Sequence, residues 1–234
     1  LVEEGFKAGA KAIIVCNPSN PCGKVFTREE LMAIGELALK YDAFVVTDEV
    51  YEHMVYAPNK HVCMASLPGM YDHTITCNSL SKTYSITGWR LGYLACTPAL
   101  YQVVLKLFQH SISCTSGFLQ RGALTALDCV EETEQMRQAY EKRKNLLFEG
   151  IREIPGVELL TPAGAFYAWV KFDTDMDSET LCNDLLDKAK IAGVPGIAYG
   201  EEDCVCIRFS FAASEDVLRT MLERLKTYQE NHTK

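Results

Sequence analysis

The sequence predicts an α/β fold: a mostly parallel sheet followed by a smaller α+β domain. Two observations carry that expectation. Short runs that are continuously apolar, Ala12–Cys16, Ala43–Thr47 and Thr74–Asn78, are separated by stretches of helical periodicity. That is the pattern of parallel strands covered on both faces, because crossover helices occupy the sheet surfaces. Past residue 156 the pattern changes to an aromatic strand, a helix, an alternating strand and a closing amphipathic helix.

Taken in order, Ala12–Cys16 is β-rich and stops at Asn17-Pro18-Ser19-Asn20-Pro21-Cys22-Gly23, two Asn-Pro turns in succession. Thr27 followed by Glu30 is a capping box and opens a helix that reaches about Tyr41. Ala43–Thr47, Thr74–Asn78 and Arg90–Cys96 are the next strands. From Phe118 to about Ile151 the chain reads as one long, increasingly charged helical segment that Pro155-Gly156 stops, and it serves as a bridge. The expected domains are therefore residues 1–140 and 141–234. In the second, Ala165–Val170 and Val205–Phe211 are strands, and Ser178–Lys190 and Glu215–Tyr228 are helices.

Composition excludes several classes. With 48% hydrophobic and 23% charged residues in 234, the chain is neither disordered nor a small disulfide scaffold. A formal charge of −8 argues against a nucleic-acid or anionic-membrane surface. The apolar stretch Leu91–Leu105 is interrupted by Gly92, Thr97 and Pro98 and is shorter than the ~20 residues of a bilayer span, so no transmembrane helix is expected. Ten cysteines without a Cys-x-x-Cys pair read as reduced core residues of a cytoplasmic protein, Cys204 and Cys206 among them. The five histidines have no metal-ligand spacing, and no metal site is expected.

Chemistry concentrates where parallel strands end, the edge at which open α/β sheets bind ligands. The first strand ends in the Asn-Pro turns and the second in Asp48-Glu49-Val50-Tyr51. The third ends in Ser79-Leu80-Ser81-Lys82, with Arg90 eight residues beyond the lysine. An amide, a carboxylate, a phenol, hydroxyls, an amine and a guanidinium in one crevice suit an aromatic cofactor that carries a phosphate.

Asn20-Pro21-Cys22-Gly23, Asp48-x-x-Tyr51, the block from Ser79 to Gly92 (Ser-Leu-Ser-Lys-Thr-Tyr-Ser-Ile-Thr-Gly-Trp-Arg-Leu-Gly) and Ile207-Arg208-Phe209-Ser210 resemble the class I/II aminotransferases of the aspartate aminotransferase fold. The resemblance spans nearly the whole chain. It implies the C-terminal part of a large domain that binds pyridoxal 5'-phosphate, followed by the small domain. Lys82 is implied to form a Schiff base with the cofactor and then to shuttle the Cα proton. Asp48 is implied to pair with the pyridinium nitrogen, and Tyr51 and Asn20 to bond the phenolic oxygen. Ser79, Ser81 and Arg90 are implied to hold the phosphate, and Arg208 to grip the substrate α-carboxylate. The rival readings are a packed aromatic for Tyr51 and a solvent-facing residue of an alternating strand for Arg208.

The implied reaction moves an amino group between an L-amino acid and a 2-oxo acid, and the implied assembly is a homodimer. The family's N-terminal segment, with its phosphate-binding helix and ring-stacking aromatic, is expected to be lacking. Two other readings stay open: a pyridoxal-phosphate C–S lyase of similar fold, and a non-catalytic fragment.

Overall fold

The computed structural model describes residues 1–232, which cluster into two compact units. Unit 1 comprises residues 1–18 and 25–135; unit 2 comprises residues 19–24 and 136–234. The hexapeptide Ser19–Lys24 groups with the second unit although it lies early in the sequence.

Unit 1 begins with α1 (Val2–Lys7), β1 (Ala12–Cys16), α2 (Arg28–Lys40) and β2 (Phe44–Asp48). It continues through β3 (Thr74–Ser79), the single-turn α3 (Leu80–Thr83), β4 (Gly92–Ala95), α4 (Pro98–Ser111) and α5 (Gly117–Ala126). The helix α6 (Val130–Arg152) starts in unit 1 and continues in unit 2. The sheet order is β1-β2-β3-β4. The first three strands are parallel, with Cys16, Asp48 and Cys77 in register at their carboxyl ends, and β4 runs antiparallel to β3. Between β3 and β4 the chain holds only α3 and one 3₁₀ turn, too little for the crossover that a parallel pair demands.

Helix α2 starts as the sequence dictates. The Thr27 hydroxyl accepts from the Glu30 amide, and the Glu30 carboxylate accepts from the Thr27 amide. Its apolar stripe brings Leu31 and Ala38 onto Val15, Val45, Met64 and Met70, all buried. A side chain as fully buried as Leu31 contributes about 1.5–3 kcal/mol.

Two expectations need correction. The sheet is not covered on both faces among the described residues: Ile13 and Val15 meet the core, whereas Ile14 is 75% exposed and every residue of β4 is exposed. The predicted single helical segment from Phe118 to Ile151 is two helices, α5 and α6, broken at Leu127–Cys129. Asp128 lies in that break, a residue whose short polar side chain competes with helical hydrogen bonding.

Unit 2 carries an antiparallel sheet in the order β5 (Val157–Leu160), β6 (Tyr167–Phe172), β8 (Cys206–Ser210), β7 (Val194–Pro195). The helix α7 (Ser178–Asp184), extended by a π turn over Leu185–Ala189, and the helix α8 (Glu215–His232) complete it. Asp177 caps α7 through the Thr180 amide. Phe209, Phe211, Ile207, Leu218 and Leu225 form its buried interior.

Candidate active site

In unit 1 the predicted residues gather at the carboxyl edge of the parallel strands. Asp48 is the last residue of β2 and is exposed. Its backbone carbonyl accepts from the Asn17 amide, and one carboxylate oxygen accepts from the Val50 amide at 3.2 Å. Three residues on, the Tyr51 ring is buried, so the packing alternative for its body is met.

Ser79 closes β3 and caps α3, its hydroxyl oxygen accepting from the Ser81 amide at 3.1 Å. The same hydroxyl donates to the Leu91 carbonyl at 3.0 Å, so its proton is engaged within the loop. Ser81 is buried and Lys82, on α3, is half-buried. Arg90 is exposed in the left-handed conformation (φ 56°), with Nη1 donating to the Thr87 carbonyl at 3.1 Å. Gly92 follows because β4 passes so close to β3 that a Cβ there would lie 2.9 Å from the Asn78 carbonyl oxygen.

Beneath this edge is a network that sequence reasoning missed. Glu49 is buried; its carboxylate accepts from His61 Nε2 at 2.9 Å and from the Met64 amide at 3.2 Å. Asn17, also buried, uses Oδ1 to accept from the Phe26 amide at 3.0 Å. Its Nδ2 therefore faces the Val62 carbonyl and His61 Nδ1, at 3.3 and 3.5 Å. With a donor against Nδ1, His61 keeps its proton on Nε2 and gives it to Glu49. Burial pushes the Glu49 carboxyl up, but the hydrogen bonds from His61 and the Met64 amide outweigh it and hold it below its ordinary value. Glu52 lies near enough to complete a group of three possible metal ligands with Glu49 and His61. Its Oε1, however, accepts from Asn78 Nδ2 at 2.6 Å. The only sequence signal for this network was the acid following Asp48; His61 comes from a loop with no local pattern.

In unit 2 the hexapeptide Ser19–Lys24 is a closed turn: the Ser19 amide donates to the Lys24 carbonyl and the Gly23 amide to the Ser19 carbonyl. The Gly23 carbonyl accepts from the Ala163 and Gly164 amides at 2.8 and 2.9 Å. Gly23 has φ +67°, and a Cβ there would meet Pro162 Cβ at 2.6 Å, so glycine is required on both counts.

This anchoring presents Asn20 to Arg208, whose Nη1 donates to Asn20 Oδ1 at 2.8 Å. Arg208, on β8, has its guanidinium carbon 4.3 Å from the centroid of Tyr167 and 5.3 Å from that of Tyr199. Its Nε is buried without a hydrogen-bond partner. The cation thus lies over two rings and bonds one neutral amide, with a buried donor unspent. Tyr167 and Tyr199 were not anticipated. Tyr167 lies in an aromatic strand that reads as core, and Tyr199 ends a 3₁₀ turn some distance along the chain.

The sequence matches the family described as aminotransferase class I and II over residues 2–225, and the chain belongs to that family. It is 38% identical to a bifunctional aspartate aminotransferase and glutamate/aspartate-prephenate aminotransferase of Petunia hybrida, over 97% of this chain and 50% of that protein. It is 37% identical to an aspartate aminotransferase of Bacillus subtilis, over 95% of this chain and 58% of the relative. Among solved structures it superposes on an aromatic aminotransferase from Pyrococcus horikoshii with a TM-score of 0.92 at 33% identity, covering 97% of this chain and 63% of that one. An aspartate aminotransferase of Thermotoga maritima gives a TM-score of 0.88 at 32% identity, covering 97% and 60%. The chain thus spans half to about three fifths of the length of these relatives. The aspartate aminotransferase fold is established by these likenesses.

Membership in this family implies pyridoxal 5'-phosphate, and the donor set fits it. Unit 1 offers an amine at Lys82, an exposed carboxylate at Asp48 and a guanidinium at Arg90 along one sheet edge. Unit 2 offers the unspent Nε of Arg208.

Proposed function

We propose that this chain carries out the work of an aminotransferase, moving an amino group between an L-amino acid and a 2-oxo acid. The observation that carries the reading is Arg208: a guanidinium held by an amide, walled by two tyrosines and left with a buried N–H free for a carboxylate. An arginine meant only for structure would be expected to meet a carboxylate of the chain itself.

Pyridoxal phosphate, when bound, supplies an aldehyde that takes up the amino group and a ring that accepts the electron pair left at Cα. Lys82 would be the amine that holds the cofactor through its aldehyde, and its Nζ, once free, would be the base that takes the proton from the substrate Cα. Asp48 keeps the ring nitrogen protonated, a role that suits a carboxylate exposed at a strand end. The Tyr51 hydroxyl and the Asn20 amide would be the donors to the cofactor's phenolic oxygen. Asn20 Oδ1 is committed to Arg208, which leaves the amide's N–H groups for that task. Ser79, Ser81 and Arg90 would hold the phosphate. Arg208 binds the substrate α-carboxylate through Nε and its second terminal nitrogen.

The domain roles follow: residues 1–140 as the remaining cofactor-binding domain, and 141–234 as the small domain. The whole protein is a homodimer, supported by exposed apolar side chains such as Leu107 and Phe118 on α4 and α5. A cytoplasmic location is supported by the ten cysteines without disulfide spacing.

Adding pyridoxal phosphate to the protein tests the reading. The bound cofactor is expected to give a visible absorption band that borohydride bleaches, with the label recovered on Lys82, and Lys82→Ala is expected to abolish both. Absence of the band in the unaltered chain would overturn the proposal in favour of a non-catalytic fragment. Release of pyruvate, ammonia and thiol from a cysteine conjugate, without amination of 2-oxo acids, would favour a lyase instead.

A further inference from the structure

Among the ten cysteines, Cys204 Sγ and Cys206 Sγ stand 3.2 Å apart. The pair opens β8, where Cys206 is fixed in register with Lys171 of β6 and is buried. Cys204 precedes the strand, in the irregular segment after Tyr199, and is half-buried. We propose that Cys204 and Cys206 are an oxidisable dithiol, a modification site that closes to a disulfide with a hydroperoxide as the oxidant.

The geometry favours closure. A disulfide needs its sulfurs about 2.05 Å apart, so about 1.2 Å of approach completes the bond. The backbone able to supply it is that of Cys204, which belongs to no strand, while Cys206 is held by its ladder. The two thiols also differ in kind. Burial, then the neighbouring Cys204, pushes the Cys206 thiol well up, so at neutral pH it keeps its proton. Cys204 is the less buried residue of the two and is the one that meets the oxidant.

The step balances. The Cys204 thiolate attacks one peroxide oxygen, the O–O bond breaks, and the departing oxygen leaves as water after taking a proton. The Cys206 sulfur then attacks the Cys204 sulfur, the S–S bond forms and the S–O bond breaks. The leaving hydroxide carries off the Cys206 proton as a second water. Two thiols are oxidised and one peroxide is reduced.

Trypsin isolates the site, because the peptide from Ile191 to Arg208 contains these cysteines and no others. The intact folded chain is treated with stoichiometric hydrogen peroxide, alkylated and digested. The expected result is a peptide that has lost two hydrogens and taken up no alkylating reagent, restored to double alkylation by dithiothreitol. In Cys204→Ser the same peptide is expected to remain alkylated at Cys206 after peroxide. Because substitution could disturb folding, a second measurement uses the unaltered chain: phenylarsine oxide, which bridges paired thiols, is expected to block alkylation of this peptide while the exposed Cys114 still reacts. Double alkylation of the peptide after Cys114 has been oxidised would overturn the proposal. So would overoxidation of Cys204 beside an alkylated Cys206, or closure seen only after denaturation.

Discussion

Asn20 and Arg208 lie 188 positions apart in sequence and are joined by one hydrogen bond of 2.8 Å within the same compact unit. Only the donor identity of arginine is needed to orient the amide: Oδ1 must face the guanidinium, and the N–H groups must point elsewhere. The bond also occupies one guanidinium nitrogen while leaving Nε unspent.

Replacing Arg208 with lysine removes the fork and the stacking plane while keeping the charge. Loss of a charge-assisted hydrogen bond of about 1.5–3 kcal/mol corresponds to roughly 10- to 100-fold weaker binding of an amino acid. Calorimetric titration of the cofactor-loaded protein checks it, and unchanged affinity would remove Arg208 from carboxylate recognition.

The same titration on Asn20→Ala, alone and combined with R208K, measures their coupling. Contacting residues in one network couple by about 0.5–3 kcal/mol, so the double substitution should cost less than the sum of the singles. Strict additivity would mean that the bond does not position the guanidinium.

Gly23→Ala meets both a left-handed φ and a Cβ contact of 2.6 Å with Pro162. The expected destabilisation is about 1–3 kcal/mol, read as a lower urea midpoint. Since Gly23 carries the hydrogen bonds that anchor the Asn20 turn, amino-acid affinity should fall with it.

Glu49 sets an acid limit. Its pKa is lowered in the folded protein, so its stabilisation is present above the ordinary glutamate value and is lost as pH falls through the lowered one. Glu49→Gln should therefore lower stability near neutral pH, by about 1–3 kcal/mol for a hydrogen bond to a charged group. It should also flatten the pH dependence below about pH 4.3. Urea unfolding across that range checks the sign.

Thr27→Ala removes one half of the capping box and should cost about 0.5–2 kcal/mol. Thermal unfolding by circular dichroism measures it, with Thr27→Ser expected to restore most of the loss.

Local chemistry was legible in the sequence. The strand Ala12–Cys16 and the Thr27–Glu30 box are found as the residues predict, because turn residues and caps act within four positions. The residues at the strand ends were legible for the same reason: parallel topology sends every carboxyl end to one edge. What escaped reading depends on distant partners. Nothing near His61 announces Glu49, and nothing near Tyr199 announces Arg208. The break at Leu127–Cys129 escaped because helical periodicity continues across it on either side. Coverage of the sheet was overread because continuous apolarity in β1 signals that a face prefers burial, not which chain segment covers it; Ile14 stays exposed here.

The early hexapeptide that folds with the later unit makes the second domain discontinuous. A gene fragment cut at residue 136 would encode β8 and its arginine but not the turn that orients it. Recombination between homologues at that point would join an Asn20 turn from one parent to an Arg208 strand from the other. The Asn20–Arg208 bond is therefore inherited only when both segments come from one parent, and chimeras should be designed with Ser19–Lys24 transferred together with the C-terminal segment.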